Sequence, residues 1–161
     1  MKTNKTKKVL IALDYDHSAQ KVAEAGYELA VEMKAEVILL HVIADATYYS
    51  ALEYSQVTGF SGFVDMSPFT LDSVDGLKMA SLSYLDKIKH HLHDENIQTQ
   101  VKDGDFADAI LQTAKELHID IIVMGSHSRR WLENIVMGSV TEEVLHHSTK
   151  PLFIVPIKKQ A

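Results

Sequence analysis

The segment Ile119–Val140, IDIIVMGSHSRRWLENIVMGSV, joins a short apolar run to a polar, basic loop and then to a second Gly-Ser pair. The apolar run is nearly continuous, is rich in Ile and Val, and stops at Gly125. Strands covered by helices on both faces have this composition, since neither face meets water. The segment therefore predicts a buried parallel strand that ends at Gly125, a loop, and a helix that starts at Gly138 and Ser139.

The rest of the chain repeats this alternation of apolar runs and helical periodicity. The other apolar runs are Val9–Leu13, Glu36–Ile43 and Pro151–Ile157, with a weaker, alternating run typical of an edge strand at Ile97–Lys102. Apolar residues with helical spacing lie in Ser18–Met33, Leu77–His93, Ala109–Leu117 and Val140–Leu145. Because crossovers between parallel strands are right-handed, this order predicts an open, doubly wound α/β sheet.

Length and composition fit one domain over residues 1–161, of which 46% are hydrophobic and 24% charged. A formal net charge of −6 argues against nucleic acid or an anionic membrane as the partner. The absence of cysteine excludes disulfides, thiolate metal sites and thiol catalysis. The chain has neither a signal-peptide core nor an apolar stretch as long as a membrane span, so we expect a cytoplasmic protein.

Two segments fall outside the strand–helix pattern. Residues 1–6 form a basic leader, which we expect to be solvated and frayed. Residues 44–73 are long for a loop in a compact domain and are rich in aromatic residues, including Tyr48, Tyr54 and Phe60. This variable insertion either lines a ligand or a partner, or packs on itself.

The loop after Gly125 has features of a phosphate-binding site. In open α/β sheets, ligands bind beyond the carboxyl ends of strands, where the strand order reverses. Gly125 has no side chain, so a ligand can approach its backbone, and Arg129 and Arg130 add positive charge. The helix that follows Gly138 presents free N–H groups and the positive end of its dipole.

The residues alone leave a second interpretation open. The sequence SVTE at Ser139–Glu142 has the form of a capping box, in which Ser139 only caps its helix and Gly138 only supplies the turn. The segment also lacks the lysine of the Walker pattern and the spacing of a dinucleotide-binding glycine loop. Phosphate binding and a plain turn are both compatible with this segment.

A longer part of the sequence resembles a known family. The segment MGSHSRRWLENIVMGSVTEEVLHHSTKPLFIVP is similar to the C-terminal signature of universal stress proteins, whose nucleotide-binding members carry G-x-x-G, nine residues, and then G-[ST]. KKVLIALDYDHSAQKVAEAGYELA and VILLHVI resemble the same family, in the same order. The resemblance implies a three-layer α/β/α fold with a five-stranded parallel sheet of order 3-2-1-4-5. Strands one and four, which end at Asp14 and Gly125, would then meet at the switch point.

The resemblance also implies ATP as the ligand, with Mg²⁺ as its companion. Asp14 matches the aspartate that contacts adenosine, and Val42 matches the residue whose backbone meets adenine. Gly125 matches the first glycine of the motif, while Gly138 and Ser139 match the last pair. The full set of expected cofactor-binding residues is Asp14, Val42, Met124, Gly125, His127, Ser128, Arg129, Gly138, Ser139 and Val140. Without the family, core packing is the simpler interpretation of Val42 and Met124, and a turn carboxylate that of Asp14.

Two positions depart from the family pattern. Ser128 stands where the second motif glycine is found in nucleotide-binding relatives. If that backbone needs a positive φ, serine costs about 1 kcal/mol; with a negative φ its hydroxyl could donate to phosphate. Phe106 stands where relatives usually carry proline.

Three functions are compatible with these patterns. The first is an ATP-binding stress-response regulator that forms a homodimer through the last strand, Pro151–Ile157. The second is a homodimeric interaction protein that does not bind nucleotides, and the third is a slow ATP hydrolase. We identify no catalytic set, although Asp14 or Asp16 could coordinate Mg²⁺ beside phosphate oxygens. His41, inside an apolar strand, is expected to be a hydrogen-bonded core histidine.

Overall fold

The computed structural model describes residues 4–15, 17–43, 74–126 and 138–157. Residues 4–6 of the basic leader are exposed and belong to no helix or strand. The predictions for the insertion at 44–73 and for the loop at 127–137 lie outside the described residues. The elements along the chain are β1 Lys8–Ala12, α1 Ala19–Met33, β2 Glu36–Ile43, α2 Val74–His91, β3 Gln98–Asp103, α3 Phe106–Glu116, β4 Ile121–Gly125, α4 Ser139–His147 and β5 Leu152–Val155.

The five strands form one parallel sheet in the order β3-β2-β1-β4-β5. This confirms the doubly wound sheet and the strand order that the resemblance implied. Each strand but the last is followed by a helix, and β1 lies at the centre of the sheet, between β2 and β4.

The sheet separates two hydrophobic cores. Val37, Leu39 and Ile43 of β2 face the core formed with α1 and α2. Ile38 and Leu40 face the core formed with α3 and α4. Successive side chains of a strand point to opposite faces, so a strand between two helical layers must be apolar at nearly every position. This explains the continuous runs in the sequence and confirms the three-layer architecture.

The two edge strands are less buried than the centre. β3, QTQVKD, has no fully buried residue and, among the described residues, pairs with β2 alone, which confirms the edge position expected from its alternation. β5 pairs only with β4 among the described residues, and the side chain of its Phe153 is 39% exposed. The strand ends at Val155, ahead of Pro156, which has no N–H to continue a ladder.

Helix α1 lies unusually close to the centre of the sheet at Gly26. A Cβ atom added there would come within 2.8 Å of the Ile11 side chain and 3.0 Å of the Val123 side chain. Glycine at this position therefore lets α1 pack tightly across β1 and β4, the two strands that meet at the switch point.

The start of α3 accounts for the departure at Phe106. Asp105 is the N-cap of this helix, and its side chain accepts a hydrogen bond from the Asp108 N–H at 3.0 Å. Phe106 is thus the first helical residue, where proline is favoured because the N–H there has no partner within the helix. Proline and phenylalanine can both occupy this position, so the departure leaves the helix start intact.

Glu24 of α1 joins the end of α2 through His91. The Glu24 Oε1 atom lies 2.8 Å from His91 Nε2 and accepts a hydrogen bond from Gln20 Nε2 at 3.0 Å. These hydrogen bonds, first from His91 and then from Gln20, hold the pKa of the Glu24 carboxyl below its usual value of 4.5.

We expect Glu24→Gln to remove a pH-dependent part of the stability. A carboxyl whose pKa is lowered by folding stabilises the protein fully above its unfolded pKa, and this contribution is lost as the pH falls through the folded value. Because solvent screens the pair, the loss at neutral pH should stay below about 1 kcal/mol. Urea unfolding at neutral pH and in acid below 4.5 measures it.

Glu28→Gln, on the exposed face of the same helix, is the matched control. A stability difference between wild type and Glu24→Gln that persists unchanged in acid would contradict this interpretation.

Candidate functional site

The ends of β1 and β4 lie side by side. Ile11 pairs with Val123 in the parallel ladder between them. The same register carried two residues further sets Leu13 beside Gly125, and neighbouring strands are about 4.8 Å apart. Asp14 follows directly, so the two chain reversals that the sequence placed at the switch point meet there.

Asp14 is held in place through its backbone and through one carboxylate oxygen. The Tyr84 hydroxyl donates to the Asp14 carbonyl at 3.0 Å. Asp14 Oδ1 accepts a hydrogen bond from the Tyr15 N–H, also at 3.0 Å. The carboxylate therefore stabilises the local turn, as the alternative interpretation of Asp14 expected, while the residue remains only half-buried.

A buried cluster of polar and aromatic residues lies next to Asp14. His41 is 1% exposed, and its Nδ1 lies 2.9 Å from the Leu13 carbonyl. A carbonyl only accepts, so Nδ1 carries the proton and donates. The His41 ring centroid is 4.3 Å from that of Tyr15, whose hydroxyl pairs with the buried Ser81 hydroxyl at 3.0 Å. The prediction of a hydrogen-bonded core histidine is confirmed.

Ser126 and Gly138, which flank the segment between β4 and α4, are hydrogen-bonded to each other. The Gly138 N–H donates to the Ser126 carbonyl at 2.6 Å, which joins the two ends of the loop. The Ser126 N–H donates to the Val155 carbonyl, and its hydroxyl accepts from the Ile157 N–H at 2.8 Å. One residue thus connects the end of β4, the start of α4 and the chain after β5. Sequence reasoning missed Ser126, because a lone serine after a strand carries no signal of these contacts.

Helix α4 begins without a side-chain cap. Gly138 is the N-cap, with φ −70° and ψ 157°, and Ser139 is already helical and exposed. The interpretation that Ser139 caps the helix through a capping box is therefore wrong, because Gly138 supplies the carbonyl that accepts from the Glu142 N–H. Within the described ranges, no group accepts a hydrogen bond from the N–H of Ser139, Val140 or Thr141.

Gly125 has a structural role that the sequence did not indicate. A Cβ atom there would lie 3.1 Å from Val22 of α1 and 3.4 Å from Ile157. The space that we expected a ligand to use at the missing side chain is thus lined by these two residues. The Gly125 carbonyl accepts a hydrogen bond from the Thr141 hydroxyl at 2.8 Å, which ties the first turn of α4 to the end of β4.

The remaining expected site residues fall into two groups. Val42 and Met124 are buried side chains in the core beneath α3 and α4, as the core-packing interpretation expected. The loop residues lie outside the described part of the chain, so their assignment stays a prediction from the sequence: His127, Ser128 and Arg129, together with Asp16 near β1.

Carboxylates gather at the neighbouring corner of the sheet. Oxygen atoms of Asp105, Asp108 and Glu143 lie within 4.8 Å of one another, and all three residues are exposed. Asp105 and Asp108 also line an open groove of about 280 Å³ at the end of β3. Exposed acidic groups are common without an ion, so this cluster does not assign a metal to the chain. No helix in the described ranges is long and apolar enough to cross a membrane.

Comparison with known proteins identifies the family. Residues 5–156 match the model of the universal stress protein family. The universal stress protein MJ0577 of Methanocaldococcus jannaschii is 32% identical over 158 residues, covering 94% of this chain and 96% of the relative. The chain therefore belongs to the universal stress protein family.

Solved structures share the fold. The MJ0577 structure superposes with a TM-score of 0.68 at 28% identity, covering 96% of this chain and 98% of that one. A universal stress protein in complex with cAMP gives 0.58 at 17% identity, covering 92% and 95%. One from Archaeoglobus fulgidus in complex with dAMP gives 0.55 at 17%, covering 92% and 96%.

We expect Ser126→Ala to destabilise the protein by about 1 kcal/mol, because the Ile157 N–H loses its acceptor. For a chain of this length, that loss lowers the melting midpoint by about 2–4 °C. Ser148→Ala is the matched control, since its hydroxyl bonds only to Lys150 two residues away among the contacts described. Equal shifts in the two variants would contradict a special role for Ser126.

Proposed function

We propose that this chain binds ATP in the crevice between the ends of β1 and β4 and acts as a cytoplasmic regulator of the stress response. In this proposal the phosphates lie at the amino end of α4 and the adenosine lies near Asp14 and the end of β2. Binding would alter the loop that starts at Ser126, and a partner would respond to that change.

The uncapped start of α4 carries the proposal. The N–H groups of Ser139, Val140 and Thr141 point out of the first turn, where the helix dipole adds about half a positive charge. Gly138 provides no side chain to satisfy them. Such a terminus suits phosphate, and the hydrogen bond between Gly138 and Ser126 fixes it at the carboxyl edge of the sheet.

The expected adenosine contacts are on the other side of the crevice. Asp14 Oδ1 accepts a hydrogen bond from the Tyr15 N–H, and an ionised carboxylate has the capacity to accept further hydrogen bonds, such as one from a ribose hydroxyl. The Leu40 carbonyl accepts from the Leu13 N–H, so it points toward β1. Backbone groups two residues apart in a strand point the same way, and the Val42 carbonyl is therefore directed toward the crevice.

The family relatives support an adenine nucleotide as the ligand. The number of phosphates is inferred from the residues that follow Gly125. Two family structures contain adenine nucleotides, cAMP and dAMP. For the triphosphate and Mg²⁺, the proposal rests on the positively charged Arg129 and on His127 and Ser128 in the sequence G-S-H-S-R.

We expect Ser139→Asp to leave the empty protein at least as stable as wild type but to weaken Mg-ATP binding by about tenfold or more. A carboxylate in the first turn stabilises a helix by about 0.3–1 kcal/mol, whereas it repels a phosphate at the same N–H groups. Ser139 is exposed, so the substitution fits without repacking. Calorimetric titration and the melting midpoint give the two quantities.

Ser148→Asp adds the same charge at the other end of α4 and serves as the control. Wild type should gain about 2.7 kcal/mol of stability at a nucleotide concentration one hundred times Kd. If millimolar Mg-ATP leaves its midpoint unchanged, the proposed function fails.

A second candidate is a homodimeric interaction protein that binds no nucleotide. The exposed Phe153 on the edge strand β5 favours pairing of Pro151–Ile157 with a second copy. This dimer is also compatible with ATP binding. If Ser128→Gly gains ATP binding that the parent lacks, the site has decayed and the second candidate is preferred.

We expect Phe153→Asp to reduce the mass in solution from that of a dimer to the monomer value of 18.0 kDa, because it places a charge within an apolar strand pair. Light scattering measures the mass. Val31→Asp, at the most exposed large apolar residue of α1, should leave the dimer unchanged. Monomeric wild-type protein, or equal dissociation by both variants, would contradict pairing through β5.

A further inference from the structure

We propose that Tyr84 is a positioning residue, which holds the backbone of Asp14 in the orientation that the ligand needs, with His41 acting beside it. This inference rests on the proposed nucleotide site. Tyr84 and His41 belong to α2 and β2, and neither was among the site residues expected from the sequence.

Two consecutive carbonyls just after β1 accept hydrogen bonds from side chains of other elements. His41 Nδ1–H donates to the Leu13 carbonyl at 2.9 Å. The Tyr84 hydroxyl donates to the Asp14 carbonyl at 3.0 Å. Both carbonyls follow β1, which ends at Ala12, and they accept from side chains of β2 and α2.

The residue after Asp14 is fixed by the same cluster. The Tyr15 ring centroid lies 4.3 Å from that of His41 and 4.6 Å from that of Tyr84. The Tyr15 hydroxyl pairs with Ser81, three residues before Tyr84 on α2. Tyr15, His41, Ser81 and Tyr84 are all buried, so the backbone on both sides of Asp14 is anchored to α2 and β2.

This arrangement prepares Asp14 for binding before a ligand arrives. A residue that is already ordered loses less conformational freedom on binding, which increases affinity without any contact to the ligand. Loss of the Tyr84 hydroxyl would leave the Asp14 carbonyl without this donor and allow the turn to move. Tyr84 then influences the ligand through the position of Asp14.

The test compares Tyr84→Phe with Tyr27→Phe. Each variant keeps its ring and loses its hydroxyl, and the Tyr27 hydroxyl donates to Asp94 Oδ2 at 3.1 Å, just beyond the C-terminal end of α2. We expect Tyr84→Phe to raise the Kd for Mg-ATP about tenfold, which corresponds to about 1.4 kcal/mol, and Tyr27→Phe to leave it within about twofold. Equal effects on Kd, or none from Tyr84→Phe, would overturn the proposal.

A second measurement separates this inference from the proposed function. Hydrogen exchange of the Tyr15 amide, which donates to Asp14 Oδ1, reports on the turn in the empty protein. Faster exchange in Tyr84→Phe and unchanged exchange in Tyr27→Phe supports the positioning role, even if wild type fails to bind Mg-ATP and the proposed function falls. Unchanged exchange in Tyr84→Phe overturns the positioning role whether or not nucleotide binds.

Discussion

The parallel pairing of β1 with β4 is the contact on which the carboxyl edge of the sheet depends. After β1 the chain enters α1 on one face of the sheet, and after β4 it enters α4 on the opposite face. Two neighbouring strands whose chains diverge in this way leave a crevice between their ends. Gly26 allows α1 to lie close over both strands.

At this edge of the sheet, hydrogen-bond partners are present for backbone carbonyls but, among the described residues, not for the first N–H groups of α4. The carbonyls of Leu13, Asp14 and Gly125 accept from His41, Tyr84 and Thr141. At the start of α4, by contrast, the first N–H groups find no acceptor in the described part of the chain. An edge that satisfies its acceptors and offers donors favours an anion, and Gly138 contributes no side chain to cap those donors. This inequality gives the nucleotide proposal its physical basis.

The sequence predicted the fold well because burial on both faces produces continuous apolar runs such as EVILLHVI, and exposure of an edge produces alternation, as in QTQVKD. Both signals are local. Contacts between distant segments left no such signal. The sequence does not indicate that Tyr84 contacts Asp14 or that Ser126 contacts Ile157. The capping box expected at Ser139 does not form, because Gly138, the residue before it, is the N-cap. The sequence shows that Gly125 has no side chain. That Val22 lies beside the space this leaves follows only from the packing of α1 on the sheet.

The bond between Ser126 and Gly138 has an evolutionary consequence. It brings together chain positions twelve residues apart, and the flanking strand and helix are anchored independently through Val155 and Thr141. Residues added between them would leave those anchors in place, and each doubling of a flexible loop costs only about 0.6 kcal/mol. The scaffold itself therefore does not require a fixed length between these positions, so the fixed spacing of the glycine motif in nucleotide-binding relatives reflects the demands of the ligand and not those of the fold.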